Sequence, residues 1–436
     1  MKIRAFEIAF ALFLFVLPIP GTIAVRNVLL LALLLLMVWC RRELRQAYSL
    51  GASRLPALAG WLAVLSAWIA IQAIWISDET AWALKESFRQ WLPALLAAVV
   101  GVGVVLLGRC AGWSRQQMLG RIVLLLLAQT IFSLLVCMPD FIADGVFPQS
   151  KTFLTAGKLE ISYWNNLLLA FLAVDGLTRW LFRQRLSFLP TPVLVGGIVI
   201  AFFSNLVFGA RNGVIGSLLL LSSLLLLVLW HERKRRSVGK VLAVVVVALV
   251  VMSVLGWANY QLDPRWARFQ ETAQIAWQAG PNEAWVHPDD AELPRLKSGE
   301  SVEPSAYFRI AWIRAGLNLV ADYPWGVGYG RNAFGHALRK SMETRLGHAH
   351  SGLIDWTVGL GIPGLCLGVG FLSWAAWVGV RRYFSGADPA GLILTFVVGG
   401  FFGRMMLDSI NRDHMLMVFF LILAILIAVR EETIKQ

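Results

Sequence analysis

The segment GHAHSGLIDWTVGLGIPGL (347–365) sets two histidines, His348 and His350, where a polar stretch meets a long apolar run. An imidazole at such a boundary can serve as a hydrogen-bonding residue, or it can take a proton from a hydroxyl if its surroundings keep it neutral. In an extended segment the side chains at 348 and 350 point to opposite sides, which predicts separate jobs for them. Arginines recur beside other apolar runs: Arg211 in FGARNGVIG, Arg265 and Arg268, Arg309 and Arg314 in AYFRIAWIRAG, and Arg404 four residues before Asp408. Singly, each can snorkel to water or pair with a carboxylate. Together they suit a multiply anionic ligand, because guanidinium forks grip phosphate oxygens with short, charge-assisted bonds. A lipid-linked diphosphate meets that requirement, with its charge at head-group depth and its tail in the bilayer. Nearby cations also discourage an imidazole from protonating, as a general base at neutral pH requires.

The elements that must position these groups are apolar helices. The 436-residue chain is 58% hydrophobic with a mean hydropathy of +0.67, and its apolar runs are long enough to cross a bilayer. The hydropathy predicts an all-α integral membrane protein with about 12 transmembrane helices, near 6–22, 26–40, 56–76, 90–108, 117–138, 162–181, 188–208, 213–230, 240–260, 351–379, 389–407 and 414–429. The run after MKIR lacks a small-residue cleavage site and reads as a retained span. Basic clusters such as Arg41, Arg42 and Arg45, HERKRR (231–236), and Arg381 with Arg382 fall on alternate loops, which puts both termini in the cytoplasm. The net charge of +13 therefore follows from topology, with no nucleic acid needed. Cys40, Cys110, Cys137 and Cys366 have no CxxC or zinc-ligand spacing and read as small apolar residues.

One connection is long. The predicted organisation is a membrane domain with helices 1–9 over 1–261, a loop over 262–350 and helices 10–12 over 351–436, the loop on the side away from the basic clusters. Within it, PNEAWVHPDDAELPRLKSGESVEPS (281–305) reads as a polar, mobile surface segment. AYFRIAWIRAGLNLVADYP reads as a helix over 306–322. Ile310, Ile313, Leu317 and Val320 form its apolar face across the membrane surface, Ser305 caps it, and Pro324 stops it. GVGYGRNAF lacks the Lys and Ser/Thr of a P-loop. Its glycines are expected to turn the chain tightly and bring backbone close to the membrane or a ligand. Trp325 and Trp356 are candidates for stacking on sugar.

These features together resemble the O-antigen ligase family. The resemblance rests on Ala210, Arg211, Asn212 and Gly213 in a short turn, on Arg309, on YPWGVGYGRNAF, and on HAHSGLIDWTVGLGIPGL with Gly359, Gly361, Pro363, Gly364 and Leu365. The chain has ARNG where the family often has Ser-Arg-Gly, and His350-Ser351 where it often has His-Asn. The resemblance implies transfer of an O-antigen chain from undecaprenyl diphosphate to a sugar hydroxyl of lipid A-core, on the periplasmic face of a Gram-negative inner membrane. It implies His350 as general base and Arg211 and Arg309 as diphosphate ligands. Arg265 joins them by position, and His348, Arg404 and Asp408 are supporting candidates. No cofactor is implied, and the chain lacks an Asp-X-Asp motif or a metal-ligand set. The alternatives are an O-antigen polymerase, a protein O-oligosaccharyltransferase and, in another class, a lipid or glycan transporter, which would tend to show repeats and midplane polar groups.

Overall fold

A computed structural model describes residues 1–49, 54–145, 154–232, scattered positions between 239 and 257, and then 268–280, 284–288, 291–386 and 388–429. Among the described residues the regular secondary structure is helical, apart from an isolated bridge between Arg295 and Ser301. In order the helices are α1 (Lys2–Val16), α2 (Ile23–Trp39), α3 (Arg41–Ser49), α4 (Leu55–Ile71, running into a π-helical turn Gln72–Ile76), α5 (Thr80–Cys110), α6 (Arg115–Val136), α7 (Met138–Asp144), α8 (Lys158–Phe182), α9 (Thr191–Val207) and α10 (Arg211–Glu232). The second half adds α11 (Phe269–Gln278), α12 (Pro304–Asp322), α13 (Ala333–Leu338), α14 (Gly352–Gly386), α15 (Ala390–Leu407) and α16 (Asp413–Ala428).

Helices cover each predicted span outside 240–260, a span that lies largely outside the described residues. Among the described residues, six helical segments are long and apolar enough to cross a membrane, or seven if α2 and α3, bent by 74°, form one broken span. Others, such as α9 and α16, are apolar but shorter than a full crossing. The protein is thus a multi-pass membrane bundle, with α16 wrapped on all sides: every residue from Met415 to Val429 is buried. At the end away from residues 262–350 the basic residues do more than mark topology. Asp388 accepts from Arg115 at 2.7 Å and Arg382 at 2.6 Å, tying α6, α14 and α15 together. All four cysteines are free, and Cys110 and Cys366 are exposed rather than buried.

The described residues between 268 and 350 form a small folded cap. Trp285, Leu296, Val302, Tyr307, Trp312, Phe334 and Leu346 share a core of their own, joined by Ile354 and Val358 from α14. The stretch expected to be a mobile surface segment contributes to that core: Leu296 N donates to Glu300 O at 2.7 Å and Val302 N to Pro294 O at 3.0 Å, closing a tight turn. The loop helix, α12, is present, but two details differ from expectation. Its cap is Glu303, whose carboxylate accepts from Ala306 N, because Pro304 occupies the first turn. Its buried face carries Tyr307, Ala311, Trp312, Ala315 and Gly316, leaving Ile310 and Ile313 half-buried and Leu317 exposed. Small and aromatic residues win that face because it packs closely on α14: a methyl on Gly316 would collide with the Ile354 side chain.

The glycine turn serves this packing as well. α14 breaks at Gly361 (φ 71°), two residues before Pro363, which frees backbone groups in its interior. Val327 N and Gly328 N donate to Val358 O and Gly359 O, each at 3.0 Å, and Ile362 N donates to Pro324 O at 2.8 Å. A side chain on Gly326 (φ 85°) would meet Gly359 O at 2.5 Å, so only glycine fits. The turn expected to approach the membrane or a ligand therefore mends a broken helix, directly after the histidines.

Candidate functional site

The carboxylate of Asp408, at the exit of α15, gathers residues from three elements. Its Oδ1 lies 3.4 Å from Arg309 Nη2 on α12; its Oδ2 accepts from Arg404 Nη2 at 3.0 Å and from Asn212 Nδ2 on α10 at 2.8 Å. Arg404 is nearly inaccessible and is fixed further by Ser162 Oγ at 2.7 Å, while its Nε and Nη1 make no hydrogen bond. Arg211, next to Asn212, pairs with Glu303 of the α12 cap at 3.6 Å. The pairs made by Arg309 and Arg211 are longer than a good charge-assisted bond, and both side chains keep some exposure. They are the guanidiniums that a ligand could draw away, whereas Arg404 is part of the frame.

The histidines stand beside this cluster. His350 has φ 51°, a left-handed conformation that costs a non-glycine residue roughly 1–2 kcal/mol. The segment is therefore not extended, and the two rings, expected on opposite sides, approach to 4.2 Å between centroids. His350 stacks on Trp312 of α12 at 5.1 Å and 16°, and the Trp312 indole is held by Trp285 O at 3.0 Å. His348 Nε2 faces Arg412 Nη2 at 3.0 Å. Arginine can only donate, so this nitrogen is the acceptor and the ring proton sits on Nδ1. Between them, Ala349 N donates to Asp355 Oδ1 at 2.8 Å, and the other oxygen of Asp355 accepts from Ser409 Oγ. Gly352 N donates to Asp408 O at 3.1 Å. The histidine segment is thus sewn to residues 408–412, with left-handed backbone held by its surroundings.

The electrostatics keep both rings neutral. Burial first, then Arg309 and Arg412, push His350 down to about 4. Burial, Arg412 and His350 push His348 down to about 2. Burial also lowers Arg412 from its ordinary value.

A cavity of about 350 Å³ runs from this cluster between α8, α10 and α15. Arg404, Asn212 and Leu407 line one part, and Tyr163, Leu219, Phe396, Gly399, Gly400 and Gly403 line the rest. Among the described residues, no neighbouring element places an atom within 4 Å of where a methyl would sit on any of those three glycines. A cationic head over an apolar trough matches an amphiphile with an anionic head.

Of the residues anticipated from sequence, His348, His350, Arg309, Arg404 and Asp408 come together here, with Arg211 at the edge; Arg265 lies outside the described residues. Two arginines of the anticipated set serve elsewhere. Arg268 pairs with Glu300 at 3.3 Å, and Arg314 donates to the carbonyls of Trp277 and Ala279. Trp356 is buried and donates to Gly364 O, so it cannot stack on a sugar, whereas Trp325 is exposed. Sequence reasoning missed Trp312, Asn212, Asp355 and Arg412. The polar run SINRDH ahead of the last apolar helix, and the lone acid in GLIDWTV, were the available signals.

No curated protein sequence matches the chain. Residues 196–369, from within α9 through the arginine turn, α12 and both histidines into α14, match the family described as O-Antigen ligase. Over these residues the chain is similar to that family.

Proposed function

We propose that this protein is an O-antigen ligase that moves a glycan from undecaprenyl diphosphate to a sugar hydroxyl of lipid A-core. The observation that carries the reading is a neutral, stacked histidine beside a set of arginines, two of them loosely paired, at the head of an apolar trough. Similarity to that family over residues 196–369 supports an enzyme of the ligase or polymerase type. The twelve-span topology with cytoplasmic termini, which the loop charges favour, turns residues 262–350 and the site toward the periplasm of a Gram-negative inner membrane.

In the proposed reaction the polyprenyl chain lies in the trough and its diphosphate draws Arg309 and Arg211 from Asp408 and Glu303. Arg404 stays in place with two nitrogens still free to donate. His350 takes the proton of the acceptor hydroxyl as its oxygen attacks the anomeric carbon. The carbon–oxygen bond to the diphosphate breaks, and undecaprenyl diphosphate leaves with the electron pair; attack opposite the leaving group inverts the centre. The donor's negative charge offsets the cations around His350, so the ring is more basic in the complex than in the free protein. Arginine charge takes the part that a metal plays in other diphosphate chemistry.

The test is transfer in a reconstituted membrane with purified protein, undecaprenyl-diphosphate-linked glycan and lipid A-core. The proposal predicts glycan on lipid A-core with a chelator present. Growth of the lipid-linked glycan instead would identify a polymerase, and glycan on a protein acceptor an oligosaccharyltransferase.

A further inference from the structure

Hydrogen-bonding side chains run through the packing of α6, α8, α9 and α10 in a chain with a direction. Thr130 Oγ1 donates to Asn165 Oδ1 at 3.1 Å, Asn165 Nδ2 to Asn205 Oδ1 at 3.2 Å, and Asn205 Nδ2 to Asn166 Oδ1 at 3.2 Å. Ser217 Oγ donates to the same Asn166 oxygen at 3.1 Å. Thr130, Asn165, Asn205 and Ser217 are buried, whereas Asn166 is half-buried and lines the trough. The chain ends there. Both bonds to Asn166 fall on its oxygen, and Nδ2, over Gly216 at the trough wall, makes no hydrogen bond among the described residues. A donor set among apolar walls is costly unless something accepts from it.

The depth of this amide is fixed by its helix. Ser162, four residues earlier on α8, is the residue that holds Arg404. Four residues make one helical turn, about 6 Å, so Asn166 lies one turn further from Asp408 than Arg404 does. α10 keeps the same register: Asn212 binds Asp408, and Gly216, one turn on, faces Asn166. A methyl on Gly216 would collide with Asn166 Nδ2, and the other atoms it would meet belong to the same carboxamide, so the glycine makes room for the amide. Past this level the described lining includes Ala170, Leu219, Leu220 and Phe396, and the Ser223 hydroxyl is turned back onto Leu219 O.

We infer that Asn166 Nδ2 binds the phosphate esterified to the polyprenyl chain, leaving the sugar-bonded phosphate to Arg309 and Arg211, an inference that rests on the proposed transfer reaction. With the tail in the trough, the lipid-bonded phosphate is the deeper of the two. The sugar-bonded one must stay near His350, because the acceptor attacks the anomeric carbon. A carboxamide suits the deeper place. It gives an anionic oxygen a charge-assisted hydrogen bond, yet adds no second buried cation to the trough before the donor arrives. Arg404, with Nε and Nη1 unengaged, stands between the two levels.

The experiment measures binding of undecaprenyl diphosphate, undecaprenyl phosphate and undecaprenol to full-length protein in nanodiscs by native mass spectrometry. Asn166→Ser withdraws the amide donors; Gly216→Ala keeps the amide but displaces it, and improves helix propensity should the serine variant fold poorly. Either variant is expected to bind both phosphorylated lipids about tenfold more weakly and undecaprenol as wild type does. Arg309→Gln is expected to weaken the diphosphate and spare the monophosphate. The inference is overturned if both variants bind the phosphorylated lipids normally, if undecaprenol binding falls equally, or if only the diphosphate is affected. Transfer to lipid A-core by wild type, with normal lipid binding in both variants, would remove this subsite and leave the ligase. Loss of phosphorylated-lipid binding in the variants, with no transfer by wild type, would remove the ligase and leave the subsite.

Discussion

Trp312 and His350 lie with rings nearly parallel, 16° apart at 5.1 Å, and the tryptophan is fixed by its own bond to Trp285 O. A helix in the cap thus sets the orientation of an imidazole that belongs to the entrance of a membrane helix. Because His350 also holds a left-handed backbone, its ring direction depends on contacts from both sides.

Removing the stacking partner should therefore misplace the proposed base without removing it. Trp312→Ala is expected to lower kcat about a hundredfold with a smaller change in donor KM, since small displacements of a catalytic group carry costs of that order. Trp312→Phe should recover most of the loss. Steady-state transfer kinetics check both variants.

The pH dependence follows from the same burial. The acid limb of kcat/KM for wild type is expected near His350's free value of about 4 rather than at the ordinary histidine value. Arg309→Gln removes a cation that helps depress it, so the limb should move to higher pH in whatever activity remains. The sign for stability is set by linkage: unfolded histidines gain protons that the folded rings resist. The contribution of His348 and His350 is complete above about 6.5 and is lost as pH falls toward the folded values. Thermal unfolding measured between pH 7 and 4 should show this loss, and it should shrink in His348→Phe.

Asp408 neutralises a buried arginine and steadies a second one. Asp408→Ala leaves Arg404 buried without its counter-charge, and unpaired buried charges cost about 3–5 kcal/mol. A large drop in thermal stability is expected, whereas Arg309→Gln, on the more exposed partner, should cost activity with little stability. Melting of the purified variants in detergent separates the two.

The trough is tested by filling it. A leucine at Gly400 points into open space, so folding should be unaffected, while the apolar chain of the donor loses its place. Gly400→Leu is expected to raise donor KM about tenfold and leave acceptor KM near wild type, a loss consistent with displacing one or two buried methylenes. Equal behaviour of wild type and variant would show that the tail lies elsewhere.

The histidines and arginines were legible in the sequence because ionisable residues beside apolar runs are costly and need a reason. The loop helix was legible from its length and its stop at Pro324, but its buried face was not. Ile310, Ile313, Leu317 and Val320 have the stronger periodicity, yet Gly316 and Trp312 fit the facing surface of α14, which no local pattern reveals. The pairing of the two rings was hidden for a related reason. Opposite directions follow from an extended chain, and the left-handed turn at His350 is imposed by contacts with residues 405–412, more than fifty positions away. Trp312 and Arg412 enter the site only through such long-range contacts.

The most direct measurement is single-turnover transfer by His350→Ala, with donor binding measured on the same folded protein. The account predicts that the variant binds undecaprenyl-diphosphate-linked glycan about as wild type does while the transfer step slows about a hundred- to ten-thousandfold, the usual contribution of a general base. Transfer at close to the wild-type rate would contradict it and require another residue to take the acceptor's proton.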